Sequence, residues 1–437
     1  MKAQVLPCQR LEGLIHPPSS KNYTTRYLLI AALAEGESLI RFPAVSDDAE
    51  AMIRCCRALG AEFEQAEDGL RVQGFGRSPQ SPGALNPGNA GAVMRFLFAP
   101  AVFLREVKFV TNFHHSLGKR PQGPLLEALE QIGIFSTSVE GHLPITLFGG
   151  HPRGGYIQVS GSTSSQYLSC LLFLAPLLED DSEIEVTGGL KSKPAVRTTL
   201  AVLREAGIKV EASSNLLHFH VPGGQQYQAG TYTVPGDYPG ASAILSAAAV
   251  VPSEVTVDRL RTDDEQGEKA IVDVLEAMGA DISRVEDRVT IKGGRELRGT
   301  EFDGDQATDA VLAMCAAAAL ARGRSRFFNV ENLRYKECDR ISDFRAELLK
   351  VGVRTQEKPD EILIIGNPNG YVGKVEIDAH HDHRLIMALT IIGFRCEHGL
   401  SIWDCEQVGK SYPGFFDDLR SLGATIEETA AFREVQV

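Results

Sequence analysis

The 437 residues predict an α/β fold assembled from six copies of one helix–helix–hairpin unit. Three observations predict it. Six segments that read as amphipathic helices each end in a glycine, at a nearly constant period. Alternating, strand-like sequence follows each glycine. A second series of helix-length segments, apolar almost all round, precedes the first.

The amphipathic segments are EAMIRCCRALG, QGPLLEALEQIG, RTTLAVLREAG, KAIVDVLEAMG, SDFRAELLKVG and GFFDDLRSLG. They close on Gly60, Gly133, Gly207, Gly279, Gly352 and Gly423, spaced 73, 74, 72, 73 and 71 residues apart. A fixed period of this kind marks a repeated supersecondary unit. Apolar residues recur at one helical face, and a glycine just past the last turn suits the left-handed position that stops a helix. Sequences such as AEFEQAEDGLRVQGFG and ADISRVEDRVTIKGG then alternate around a turn, as strand pairs do. The second helix series comprises SKNYTTRYLLIAALAEG, NAGAVMRFLFAPAVF, STSSQYLSCLLFLAPLL, YPGASAILSAAAVV, ATDAVLAMCAAAALARG and HHDHRLIMALTIIGF. A helix apolar on every side is a buried helix.

The polar beginnings of these buried helices point to function. A helix N-terminus leaves N–H groups unpaired and carries partial positive charge, which suits phosphate or carboxylate. The six beginnings hold Lys21, Arg26, Asn89, Arg95, Ser164, Ser165, Gln166, Asp309, His383 and Arg384. Any one alone reads best as a plain cap. Six at a regular period favour a site that gathers cations and donors around a multiply anionic ligand.

A net charge of −13 argues against nucleic acid or an anionic membrane as a general partner, and leaves room for a small anionic substrate. The N-terminus lacks the apolar core of a signal peptide. The longest apolar run, residues 310–321, is too short for a bilayer. Eight scattered cysteines form no CxxC pair, so reduced thiols in a cytoplasmic protein are expected. HHDHR, residues 380–384, raises a zinc reading. That would need further ligands at a plausible spacing, and none is evident, so Asp382, His383 and Arg384 are expected to cap the sixth buried helix and meet the anion. His380 and His381 are expected on the solvent side.

The segments ENLRYKECDR (331–340), NAGAVMR (89–95), KRPQGPL (119–125), SSQYLS (164–169), DHRLIM (382–387) and GKSYPGFF (409–416), in this order and spacing, resemble the enolpyruvyl transferase family in its 5-enolpyruvylshikimate-3-phosphate synthase branch. The likeness runs from Ser20 to Phe416. It implies a two-domain inside-out α/β barrel with three repeats per domain and the buried-helix N-termini facing a shared cleft. Residues 18–235 would form one domain, and 1–17 with 236–437 the other. It implies transfer of the enolpyruvyl group of phosphoenolpyruvate to the 5-hydroxyl of shikimate 3-phosphate, with release of phosphate. No cofactor or metal is called for, and a monomer is expected.

By matching positions, the resemblance implies that Lys21, Gly91, Arg120, Gln166, Arg340, Arg384 and Lys410 bind phosphoenolpyruvate. Lys21, Asn22, Arg26, Ser164, Ser165, Gln166, Ser192, Asp309, Asn332 and Lys336 would bind shikimate 3-phosphate. Lys21, Asp309 and Glu337 would be catalytic, with Asp309 the base for the hydroxyl and Glu337 the acid at the methylene carbon. Nearby cations favour a base and burial favours an acid, so the balance at these carboxylates stays open at this stage. The chain departs from the family pattern at Asn22, Ala92, Ala195 and Tyr238-Pro239-Gly240. Ala195 supplies no ring face for an acceptor. Two alternatives remain. One is an enolpyruvyl transferase with a different acceptor, such as a modified cyclitol or the substrate of the UDP-N-acetylglucosamine transferase branch, against which His115 stands where a reactive cysteine is usual. The other is a non-catalytic anion-binding relative.

Overall fold

The computed structural model describes residues 1–430. The chain divides into two compact units: Ser19–Pro235, and Met1–Pro18 together with the chain from Gly236 onward. Each unit has its own hydrophobic core.

Ser19–Pro235 contains α1 (Lys21–Leu33), α2 (Asp47–Ala58), α3 (Gly91–Ala101), α4 (Gly123–Glu130), α5 (Ser165–Leu174) and α6 (Lys193–Glu205). The other unit contains α7 (Tyr238–Val250), α8 (Ala270–Ala277), α9 (Val311–Ala319), α10 (Ser342–Val351), α11 (His383–Gly393) and α12 (Phe415–Ser421). The odd-numbered helices are the apolar series. Every residue of α7, α9 and α11 is buried. In α1, α3 and α5 the only residues not buried are Lys21, Asn22, Ala92 and Gln166, all in the first two residues of their helices. Burial therefore relaxes at the N-terminal turns of α1, α3 and α5, where a ligand can reach backbone N–H groups. α7, α9 and α11 pack on one another, and α3 packs on α1 and α5. The even-numbered helices bury one face each. The glycines that follow them all have positive φ, from 77° at Gly207 to 109° at Gly423, a region costly for a residue with a Cβ.

Among the described residues the strands form six four-stranded sheets, three per unit. Their order is the same throughout: an outer strand parallel to the next, then two antiparallel neighbours. In one sheet Thr231–Thr233 runs parallel to Glu37–Arg41, which pairs antiparallel with Gly69–Gln73 and that with Glu62–Ala66. Two sheets recruit strands from the N-terminus. Leu11–Ile15 lies parallel to Ser253–Val257, and Lys2–Val5 sits between Leu400–Trp403 and Ile426–Thr429. Among the described residues no helix is long and apolar enough to cross a membrane. All eight cysteines are free thiols, and only Cys338 is not buried.

Candidate active site

In each unit some predicted site residues stand at the beginnings of the buried helices and others on the turns between helices. In Ser19–Pro235, Lys21 is the first residue of α1 and lies 3.2 Å from Asp48. One turn on, Arg26 is buried. It donates to the Thr199 hydroxyl at 2.9 Å, the Asn22 carbonyl at 2.8 Å and the Ala195 carbonyl at 3.1 Å, and stacks over Phe96. Its partners are all neutral. Burial pulls this guanidinium down to about 10, and nearby Tyr23 offsets only part of the lost hydration.

A second buried cation sits on α3. Arg95 donates to Gln122 at 2.9 Å, to Gln166 at 2.6 Å and to Ser164 at 3.3 Å, and lies over the Tyr167 ring. Burial lowers it too, to about 10, and neighbouring Arg120 adds to the effect. Ser164 caps α5 by accepting from the Gln166 N–H at 3.3 Å, and Ser165 follows, buried. Arg120 ends the short turn Leu117–Lys119, and its side chain makes no hydrogen bond or ion pair among the described residues. A Cβ on Gly91 would stand 2.9 Å from the Arg120 Nη1, so glycine here leaves the guanidinium its place. Ser192 precedes α6 in the left-handed region, at φ 51°.

The other unit is organised around Arg340, whose side chain is 2% exposed. It donates to Asp382 at 2.7 and 3.3 Å, to Asp309 at 2.9 Å and to Glu337 at 2.8 Å. Three carboxylates share one planar cation, which suits the forked geometry of arginine. Burial would lower this guanidinium, but Asp382, Glu337 and Asp309 together raise it. Glu337 also bonds Lys410. Burial alone would push the Glu337 carboxyl up; Arg340, Lys410 and His383 outweigh it and hold it well below the usual range. In this state Glu337 is an ionised carboxylate. Lys336 lies 3.8 Å from Asp309. Asp382 caps α11 by accepting from the Arg384 N–H at 2.8 Å. Arg384 donates to the Pro239 carbonyl at 2.7 Å, while its Nε is buried with no hydrogen-bond partner. The buried Oδ1 of Asn332 likewise has none. Both are polar atoms that a ligand can satisfy.

Asp309 lies in a short 3-10 turn, Thr308–Ala310, that leads directly into α9, and its carboxylate faces Arg340 and Lys336. His380 and His381 both adopt left-handed backbone. His380 reaches Glu347 at 3.2 Å, and the exposed His381 pairs with Asp404 at 3.2 Å. Among the described residues no three His, Cys, Asp or Glu side chains are grouped to hold a metal ion.

Several participants escaped the sequence reading. Arg95 was visible at the start of its helix, four residues after Gly91, but was given no role. Thr199 and Asp48 lie outside every family motif, and Gln122 lies within KRPQGPL with no role assigned to it. Asp382, expected to cap α11 and meet the anion, is also the most buried partner of Arg340.

The profile of the family described as EPSP synthase (3-phosphoshikimate 1-carboxyvinyltransferase) matches residues 5–419. A 3-phosphoshikimate 1-carboxyvinyltransferase of Deinococcus radiodurans is 50% identical over 98% of this chain and 97% of its own. One of Burkholderia pseudomallei is 40% identical over 95% and 93%. Among solved structures, an EPSP synthase of Acinetobacter baumannii superposes with a TM-score of 0.85 at 26% identity, covering 98% of this chain and 99% of its own. The enolpyruvyl transferase NikO of Streptomyces tendae, at 17% identity and TM-score 0.79, shares the fold. Read with the site geometry, these likenesses establish that the chain belongs to the EPSP synthase (3-phosphoshikimate 1-carboxyvinyltransferase) family.

Proposed function

We propose that the protein transfers the enolpyruvyl group of phosphoenolpyruvate to the 5-hydroxyl of shikimate 3-phosphate and releases inorganic phosphate. The observation that carries this reading is the pair of buried guanidiniums, Arg26 and Arg95, whose hydrogen bonds all go to neutral acceptors in a chain of net charge −13. A buried cation without a counter-charge is costly, and an anionic substrate offsets that cost. Arg26, Asn22, Ser164, Ser165, Gln166 and Ser192 are assigned to shikimate 3-phosphate, with Asn332, Lys336 and Asp309. Phosphoenolpyruvate is assigned to Lys21, Arg120, Gln166, Arg340, Arg384 and Lys410, beside Gly91.

In the addition step, Asp309 takes the proton of the 5-hydroxyl as its oxygen bonds to C2 of phosphoenolpyruvate. C3 gains a proton from Glu337, and a tetrahedral ketal results. In the elimination step C3 gives the proton back to Glu337, the bond from C2 to the phosphate oxygen breaks with its electron pair passing to that oxygen, and the departing phosphate takes up the proton held by Asp309. Lys21 supplies positive charge where negative charge develops on the leaving phosphate. Glu337 begins ionised, so its role as acid needs a proton. Phosphoenolpyruvate, itself multiply anionic, competes for Lys410 and Arg340. That competition withdraws the cations that hold the Glu337 carboxyl low.

The recurrent strand order and the two compact units support reading the fold as the family's two-domain inside-out α/β barrel, with three repeats per domain and boundaries near residues 17 and 235. A monomer working in the cytoplasm is proposed. The test is phosphate release from phosphoenolpyruvate with each acceptor offered in turn. Release with shikimate 3-phosphate alone is expected. Release only with a UDP-amino sugar, or with neither, overturns the reading.

A further inference from the structure

We infer that Glu268 is a positioning residue for Asp309: its carboxylate holds the turn that carries Asp309 and sets how readily Asp309 accepts a proton. This rests on the reading of Asp309 as the base.

Glu268 lies in the 3-10 turn Gly267–Lys269 ahead of α8, and its Oε1 accepts from the Asp309 backbone N–H at 3.3 Å. The segment that carries it is firmly held. Buried Gln266 donates to the Gly236 carbonyl at 2.9 Å and to Asp264 at 2.7 Å, and accepts from the Tyr238 N–H at 3.2 Å. Lys269 donates to the Asp264 carbonyl. Glu268 is thus presented to Asp309 by a rigid strap on the start of α7, not by a loose surface loop.

The charges around the pair are of both signs. Arg340 stands 2.9 Å and Lys336 3.8 Å from Asp309. Cations stabilise a carboxylate and make it a weaker base. Glu268 adds negative charge at the Asp309 backbone, and Asp237, the N-cap of α7, adds it near Glu268. Asp264, Glu265 and Lys269 lie on the strap itself. Burial first, and Asp309 after it, push the Glu268 carboxyl up to about 7. Interacting carboxylates act on each other reciprocally. As Glu268 ionises near neutral pH, its charge therefore strengthens Asp309 as a base against the two cations.

The test is Glu268→Gln, with Glu268→Asp as the charge-retaining control. The glutamine oxygen can still accept from Asp309, so KM for both substrates should stay within about two-fold of the parent. The parent kcat should rise as pH passes through about 7. In E268Q that rise should vanish and kcat should fall roughly three- to ten-fold, as expected when a base weakens while proton transfer is partial. E268D should keep the pH-dependent rise. A second readout needs no turnover. A carboxyl raised in the folded state favours folding below its ordinary range, near 4.5, and that contribution is lost as pH climbs through about 7. The Tm of E268Q should therefore gain on the parent over that window, and in an Asp309→Asn background the inflection should move to lower pH. A parent-like kcat profile in E268Q overturns the inference. So does an inflection unmoved by Asp309→Asn, or equal losses in E268Q and E268D with unchanged pH profiles. If the parent itself fails to transfer to shikimate 3-phosphate, the functional reading falls, while a shifted inflection still upholds the coupling.

Discussion

Replacing Arg340 by methionine removes the one cation shared by Asp382, Asp309 and Glu337 while roughly filling its volume. Asp309 and Glu337 keep some solvent, with side chains 31% and 19% exposed, so their loss is partly met by water. Asp382 has none, at 0% exposed, and is left as a buried charge. Breaking a buried pair from one side costs about 3–5 kcal/mol. At about 2–4 °C per kcal/mol for a unit of this size, the Tm should fall by about 6–20 °C. Asp382→Asn keeps an oxygen for the Arg384 N–H but removes the charge. Urea unfolding of the parent, R340M, D382N and R340M/D382N at neutral pH measures the coupling. The double variant should be more stable than the sum of the single losses by at least about 2 kcal/mol. Strict additivity, or a loss below about 1 kcal/mol in R340M, would refute the argument that Asp382 depends on this guanidinium.

Glu337→Gln should retain calorimetric binding of shikimate 3-phosphate while kcat drops by about 10² or more. Its stability deficit should be largest at neutral pH and close on acidification, since a carboxyl held low stabilises the fold only while ionised. Gly91→Ala should displace Arg120, raising KM for phosphoenolpyruvate while KM for shikimate 3-phosphate hardly moves; a change in the latter alone would place Gly91 elsewhere. Arg26→Met should weaken shikimate 3-phosphate binding by about 1.5–3 kcal/mol, the range for hydrogen bonds to charged groups, as read by titration calorimetry. Prolonged dialysis against a chelator should leave phosphate release unchanged, and stoichiometric zinc in the purified protein would contradict the assignment of Asp382 and His383.

Much of the local structure was legible because it is set by short-range chemistry. The six closing glycines stop helices by the one backbone region that glycine tolerates well, and apolar runs such as VLAMCAAAA admit only burial. What escaped depends on distant partners. Nothing in TYT, residues 231–233, says that it will lie parallel to Glu37–Arg41. Gln122 and Thr199 are ordinary polar residues until folding sets them against Arg95 and Arg26. Asp309 was legible at a helix beginning, where capping is the local default, but its bond to Arg340 was not. Glu268 lay within DDEQGEK, which reads as a solvated acidic stretch.

The placement of strand Lys2–Val5 between Leu400–Trp403 and Ile426–Thr429 also orders events during synthesis. Residues 19–235 hold every strand of their three sheets and can complete them while translation continues. Lys2–Val5 must instead wait, unpaired, until Leu400–Trp403 and Ile426–Thr429 have been made. Until then a nascent chain carries an unsatisfied strand edge, a liability for aberrant pairing. Deleting residues 1–15 should leave the Ser19–Pro235 unit intact and disrupt the two sheets of the other that recruit these strands.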